Sequence, residues 1–340
     1  MAHNIDMSNN RANIAFRGSR TDVWHRLGQE MAPGMTIDEW AKAAGLDWEA
    51  VKCPAYVELH GIAGQNMAPV PDRFFNVRND TGAVLSPNAI SDIYQNVQPR
   101  AVLDWFQRYI SVDDRFELDV AGSLAGGAII WATATFNGGM TVAGENHTAR
   151  LLMSTTFDGS GATRNQATMT RVVCNNTLTA AQYDKRAVVV TRHSTMFRPE
   201  KAAKELAAVA QGFEVYKLMG DALAQAEMAR EEVADFFKDC LDIPRDAKQA
   251  DISTRKQNQY LELARALRTS VGEGAADGTA WAALQAVTRY VDHDRSTRNG
   301  NGDETAARFT SANFGSGAAL KGTAMQLLMP RIKDRVLIPV

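Results

Sequence analysis

Nine basic side chains crowd into one stretch of this chain. Between Thr148 and Lys204 stand Arg150, Arg164, Arg171, Lys185, Arg186, Arg192, Arg198, Lys201 and Lys204, against three acids, Asp158, Asp184 and Glu200. The stretch carries a formal +6 inside a chain whose total is −2, so the remainder is −8. Segregation of this kind points to a localised anion site rather than a generally adhesive surface; a solvated charged face is the simpler alternative. Among the cations lie hydroxyl and amide donors: Thr163, Asn165, Thr168, Thr170, Asn175, Asn176 and Thr177. Arginine, lysine and such donors together bind polynucleotide phosphates independently of base sequence. Aromatic residues for base stacking are few here, namely Phe157, Tyr183 and Phe197. The composition therefore favours tracking of a backbone over stacking on bases. The expected contacts are Arg150, Arg164, Arg171, Asn175, Lys185, Arg186, Arg192 and Arg198. Asn175 and Asn176 have a second reading, as side chains that satisfy buried strand ends.

Other chemistry is poorly supported. Gly315 to Thr323 resembles a phosphate loop, but Leu320 stands where a glycine should precede the lysine. The helix start there still offers free amides to an anion, with Lys321 nearby. Asp292, Asp294, Ser296 and Asp303 partly follow the spacing of a calcium loop. Thr297 occupies the glycine position, and Arg295 and Arg298 would repel a cation. Cys174 with His147 or His193 would make a nucleophile pair, but Cys174 sits in an apolar run that keeps a thiol neutral. The six histidines show no zinc spacing. No catalytic role, no metal and no cofactor is expected; whether the loop from Asp292 to Asp303 holds a metal stays open.

The elements that would position the basic stretch can be read from its pattern. Ala149 to Phe157 reads as a strand, Asp158-Gly159-Ser160-Gly161 as a turn, and an ordered run follows through Arg171 to Cys174 and on to Thr177. Upstream, Thr36-Ile37-Asp38-Glu39 is a capping box that starts a short helix stopped by Gly45. Strands are expected at Ala55 to His60, Arg73 to Arg78, Ala83 to Leu85, Phe116 to Leu124, Ala128 to Phe136 and Met140 to Ala143. Helices are expected at Pro87 to Val97 and Pro99 to Ile110. After a strand at Val188 to Thr191, helices follow at Lys201 to Cys240, Ser253 to Ser270, Ala280 to Tyr290 and Gly317 to Leu328. Hairpin-linked strands without strict βα alternation predict an α+β fold, with an antiparallel or mixed sheet, packed helices and a helical C-terminal layer. The organisation expected is a flexible arm over residues 1–20, bearing Arg11, Arg17 and Arg20, an α+β core over 21–197, and a mainly helical region over 198–340.

At 340 residues, 45% hydrophobic and 22% charged, the chain suits one large or two modest soluble domains. No apolar run is long enough to span a bilayer, and Met1 to Arg20 lacks the apolar core of a secretory signal, so neither a membrane span nor a leader is expected. Cys53, Cys174 and Cys240 are few and scattered, as in a reducing compartment.

Several blocks resemble one family. Met1-Ala2-His3, Trp24-His25-Arg26-Leu27-Gly28, Ala44-Gly45-Leu46-Asp47-Trp48 and Asp158-Gly159-Ser160 are similar to the phage/plasmid-like family carrying a domain of unknown function, of the DUF932 type. Arg171-Val172-Val173-Cys174-Asn175-Asn176-Thr177-Leu178, Tyr290-Val291-Asp292-His293 and Asn313-Phe314-Gly315 carry the same resemblance. It implies a mobile-element protein in a bacterial cytoplasm and brings no catalytic residues. In plan, the chain is also similar to single-strand DNA annealing proteins, with Tyr94-Gln95-Asn96-Val97-Gln98 the most similar fragment. The function expected is thus ATP-independent binding and annealing of single-stranded DNA in recombination. The protein would be a homo-oligomer, ring or filament, with a host or phage replication protein as a further partner and no membrane association. The alternative is a counter-defence or regulatory protein that binds a host protein.

Overall fold

The computed structural model describes residues 5–18, 27–60, 66–86, 88–110, 116–136, 140–159, 161–171, 177–179, 188–194, 213–270, 278–296, 308, 311–312 and 315–334. Two compact units divide the chain. One comprises residues 1–135, 151–165 and 189–206; the other comprises 136–150, 166–188 and 207–340.

In the first unit, the apolar run Ile14-Ala15-Phe16 forms β1 (Ile14–Arg17). It pairs antiparallel with β6 (Phe116–Leu124) and parallel with β2 (Gln29–Met31). The expected flexible arm thus contains an inner strand of the sheet. Ile14 and Ala15 are buried, and Arg17 pairs with Glu117 instead of reaching outward. The Asn-rich sequence around this strand hides a segment only three apolar residues long.

A buried network fixes the same N-terminal segment. Arg78 and Asp6 are each 1% exposed and meet at 2.6 Å. Arg78 also donates to both Asp80 oxygens, at 2.9 and 2.8 Å, and its guanidinium lies 4.3 Å from the Trp48 ring centre. Asp6 accepts further from Ser8, Asn13 and Ser123. Each buried charge therefore has partners, which is the condition for burying it at all.

The capping box forms as expected: Thr36 Oγ1 accepts from Glu39 N, and Thr36 N donates to Glu39 Oε2, starting α1 (Ile37–Ala43). Gly45, at φ +62°, ends it. In α2 (Pro99–Ile110), Val102, Leu103, Trp105 and Phe106 are buried, and the helix packs on α1 and β6.

A smaller sheet is made by β3 (Ala50–Glu58), β4 (Met67–Arg78) and β5 (Ile90–Ser91), in that order. After β4 the chain turns through Gly82, at φ +69°, and Val84 bridges back to Val77, within the segment Ala83 to Leu85 expected to be extended. The helix expected over Pro87 to Val97 is absent among the described residues. Ile90 instead pairs with Phe74, while the amides of Asn96 and Gln98 bind the backbone of Ala50. Tertiary hydrogen bonding overrides the local helical pattern there.

The larger sheet is mixed, with order β11-β10-β9-β7-β6-β1-β2; β8 adds to β9 and β12 to β10. Its remaining strands are β7 (Ile129–Phe136), β8 (Met140–Val142), β9 (Glu145–Thr156), β10 (Thr163–Arg171), β11 (Thr177–Thr179) and β12 (Val188–Thr191). Strands β9 and β10 contribute residues to both units.

The second unit is built mainly of helices: α3 (residues 213–224), α4 (Arg230–Cys240), α5 (Thr254–Ser270), α6 (Ala280–Arg289) and α7 (Ser316–Leu328). Residues 280–288 of α6 are all buried: α5 and α7 pack on the helix, and Tyr216 of α3 and the buried His147 meet its Trp281 ring. Thr279 caps it, its Oγ1 accepting from Ala282 N. The single helix expected from Lys201 to Cys240 is interrupted after residue 224. There Glu227 bridges to Thr279, and Met228 N donates to Gly278 O at 2.8 Å. The sequence holds no proline at this point. Pairing with the start of α6 breaks the helix. The part expected over 201–212 lies outside the described residues.

Candidate nucleic-acid interface

Strand alternation decides which polar residues of the basic stretch reach solvent. On β9, Leu151, Met153 and Thr155 are 0–1% exposed; on β10, Thr163, Asn165 and Ala167 are 0–1% exposed. The Thr155 and Thr163 hydroxyls meet at 2.9 Å. These residues make the core face of the sheet, and alternate side chains point to the other face. Arg164 belongs to that second face and is exposed.

The expected contact residues divide accordingly. Arg164 on β10 and Arg192, directly after β12, are exposed and lie in the same unit, and β10 pairs with β12. Neither has a carboxylate within ion-pair distance among the described residues, whereas Arg17, Arg78 and Arg100 of that unit do. Arg150 on β9 is half-buried and belongs to the other unit. Arg171 ends β10, with its side chain outside the described residues. Asn175, Lys185, Arg186 and Arg198 lie outside them entirely. Thr163, Asn165 and Thr168, expected to donate to phosphates, are buried at 0%, 1% and 4% exposure. Thr168 Oγ1 donates to the Arg150 carbonyl at 3.3 Å, which removes it from a binding surface. Burial on both faces of β10 is the reason: the strand is interior, and its short polar side chains pack rather than project.

The backbone beside Arg192 is held by a contact that sequence reading missed. His193 Nδ1 lies 2.9 Å from Gln95 O, and Gln95 N donates to His193 O. The imidazole stacks on Tyr94 with ring centres 4.5 Å apart and planes inclined by 12°. Tyr94 Oη donates to Thr156 O at 2.7 Å. Burial pushes the Tyr94 phenol up to about 12. Burial also pushes the His193 imidazole below its ordinary value, more than the Gln95 carbonyl and Asp158 raise it. The segment from Tyr94 to Gln95 and the chain after β12 are thereby locked together, fixing where Arg192 begins. Nothing in the spacing of Tyr94 and His193, nearly a hundred residues apart, announces this pair.

The remaining sequence motifs are occupied structurally. Lys321 is 1% exposed and bonds Asp292 Oδ1 at 2.5 Å, so it does not serve an anion at the start of α7. Asp292 and Asp294 fall in a π-helical turn (Tyr290–Asp294), where Asp294 faces Arg289 at 3.6 Å. Asp303 lies outside the described residues, as does Cys174. Among the described residues, no three His, Cys, Asp or Glu side chains converge on one point. His147 is buried, its Nδ1 3.3 Å from Tyr216 Oη, with the Trp281 ring 5.8 Å away. The Cys240 thiol is pushed up to about 12 by burial, so it stays protonated and unreactive.

These features define an α+β protein with a mixed sheet and, among the described residues, two exposed arginines without an ion-pair partner, one on β10 and one just past β12. The chain belongs to the DUF932 family, a domain of unknown function whose sequence profile matches residues 88–313. No curated protein and no solved structure matches it significantly. No helix among the described residues is long and apolar enough to cross a membrane.

Proposed function

We propose that this protein binds single-stranded DNA through its phosphates and anneals complementary strands without ATP, as a homo-oligomer serving recombination of a phage or plasmid in a bacterial cytoplasm. One observation carries the reading: Arg164 on β10 and Arg192, the residue after the paired strand β12, are both exposed, with no carboxylate within ion-pair distance among the described residues. The +6 balance of the surrounding stretch, in a chain of −2, supports it. Arginines that touch only phosphates leave base edges free, as annealing requires.

The experiment is annealing of two complementary oligonucleotides by the full chain at low salt, without nucleotide. Acceleration that fades as salt rises is expected. A rate equal to that of the oligonucleotides alone, with no binding at low salt, overturns the proposal. The −8 remainder of the chain favours a second reading, a regulatory or counter-defence protein that binds a host protein. Recovery of one host protein after nuclease treatment, with no DNA retained, would favour that reading.

A further inference from the structure

The outer edge of β3 is where the structure leads further. Asn79 N donates to Glu49 O at 3.1 Å, so Glu49 faces β4 and Ala50 turns its amide and carbonyl away. Gln98 takes both of those groups: its Oε1 accepts from Ala50 N at 2.9 Å and its Nε2 donates to Ala50 O at 3.1 Å. At the other end Leu59 N donates to Asn66 O at 2.9 Å, so Leu59 faces β4 and Glu58 faces away. The register against β4 shifts between Pro54 and Tyr56, with the extra residues on β4, so parity is kept on β3 and Lys52, Pro54, Tyr56 and Glu58 direct their backbone groups outward. No strand pairs with this edge among the described residues. Around it Val51 is 44% exposed, Tyr56 53%, Val57 47% and Met67 58%. An open edge flanked by exposed apolar side chains is a template for strand addition.

We propose that β3 pairs antiparallel with β3 of a second copy of this chain, about a two-fold axis at Ala55. Charge complementarity selects the occupant and the register. Centring on Ala55 sets Lys52 opposite Glu58 of the second copy and, by symmetry, repeats that ion pair at the other end. A slip centred one residue earlier sets Lys52 opposite Tyr56; one centred one residue later sets it opposite His60. Tyr56 N donates to Pro54 O of the second copy, and Pro54, lacking an N–H, loses no donor at the edge. The present partners are exchangeable: Lys52 Nζ reaches Asp92 O at 2.5 Å, and Glu58 lies 3.5 Å from His60 in solvent. This pairing would supply one interface of the homo-oligomer proposed above, and it does not require nucleic-acid binding.

The register makes a specific test possible. It sets Cys53 against residue 57 of the second copy in a pair without mutual hydrogen bonds, with Cβ atoms about 5 Å apart, within reach of a disulfide after slight adjustment. Within one chain the two positions are about 13 Å apart along the strand and cannot join. Full-length Val57→Cys, mildly oxidised, should become a covalent dimer whose linked peptides join positions 53 and 57. In sedimentation the wild type should be a species of two chains at about 50 μM. Glu58→Lys should weaken association at least tenfold, and adding Lys52→Glu should restore it, with unchanged circular dichroism throughout. A wild type that sediments as one chain overturns the proposal. So does an association indifferent to Glu58→Lys, a Val57→Cys cross-link through Cys174 or Cys240, or no cross-link at all.

Discussion

Removing the Asp6 carboxylate should cost the first unit a large part of its stability. Asp6→Ala leaves Arg78, 1% exposed, with one anionic partner, Asp80, whose side chain is 30% exposed. It also strips an acceptor from Ser8, Asn13 and Ser123. Breaking a buried pair from one side costs about 3–5 kcal/mol. Because Asp80 still holds two of the guanidinium nitrogens, the lower end applies, about 3 kcal/mol. At a typical urea dependence this moves the unfolding midpoint of that unit down by on the order of 1 M. The pH dependence should change with it. Burial alone would raise the Asp6 carboxyl, but bonds from Ser8 and Asn13 and the charge of Arg78 hold it below its ordinary value. A carboxylate lowered by folding contributes stability above its unfolded value and loses it as pH falls through the folded one. Asp6→Ala should therefore flatten the acid limb of the stability curve below about pH 4. Urea titrations of both proteins at pH 7 and pH 3 measure this. A midpoint unchanged at pH 7 would refute the reasoning.

Three further outcomes follow from the same structure. His193 is lowered by burial, so the unfolded chain binds its proton first as pH falls; stability should decline from about pH 6.5 downward, and His193→Gln should reduce that slope in urea titrations between pH 7 and 5. Lys321→Met removes the buried cation that Asp292 faces and should destabilise the second unit by about 3 kcal/mol, read from the shift in its thermal midpoint; adding Asp292→Leu should recover most of that loss. Gly220→Ala places a Cβ 2.2 Å from Val142 Cγ1 and 3.2 Å from the Trp281 ring, and should cost about 1–3 kcal/mol in the same measurement.

Much of the scaffold was legible because it depends on short-range chemistry. The Thr36–Glu39 box, the Gly82 hairpin, the apolar face of α2 and the Thr279 cap are each set by residues a few positions apart. What escaped depends on distant partners. β1 is stabilised by its place beside β6, not by its length. Asn96 looks helical until the backbone of Ala50 claims its amide. The gap between α3 and α4 exists because residues 226–228 pair with 278–280. For the candidate interface, the sequence located the charge but not its facing. Thr163, Asn165 and Arg164 are consecutive on β10 or nearly so, and only the two faces of the sheet separate the exposed arginine from the buried donors. Lys321 shows the same limit: a lysine near a glycine-rich helix start looks available for an anion until Asp292, 29 residues upstream, is found bonded to it.

The salt dependence of single-stranded oligonucleotide binding, compared between the wild type and Arg164→Gln/Arg192→Gln, tests the central claim most directly. Each phosphate contact on a single strand contributes about 0.7 to the slope of log affinity against log salt. The double variant should therefore bind more weakly at low salt, with a slope shallower by about 1.4. Equal affinity and equal slope for the two proteins would contradict the account.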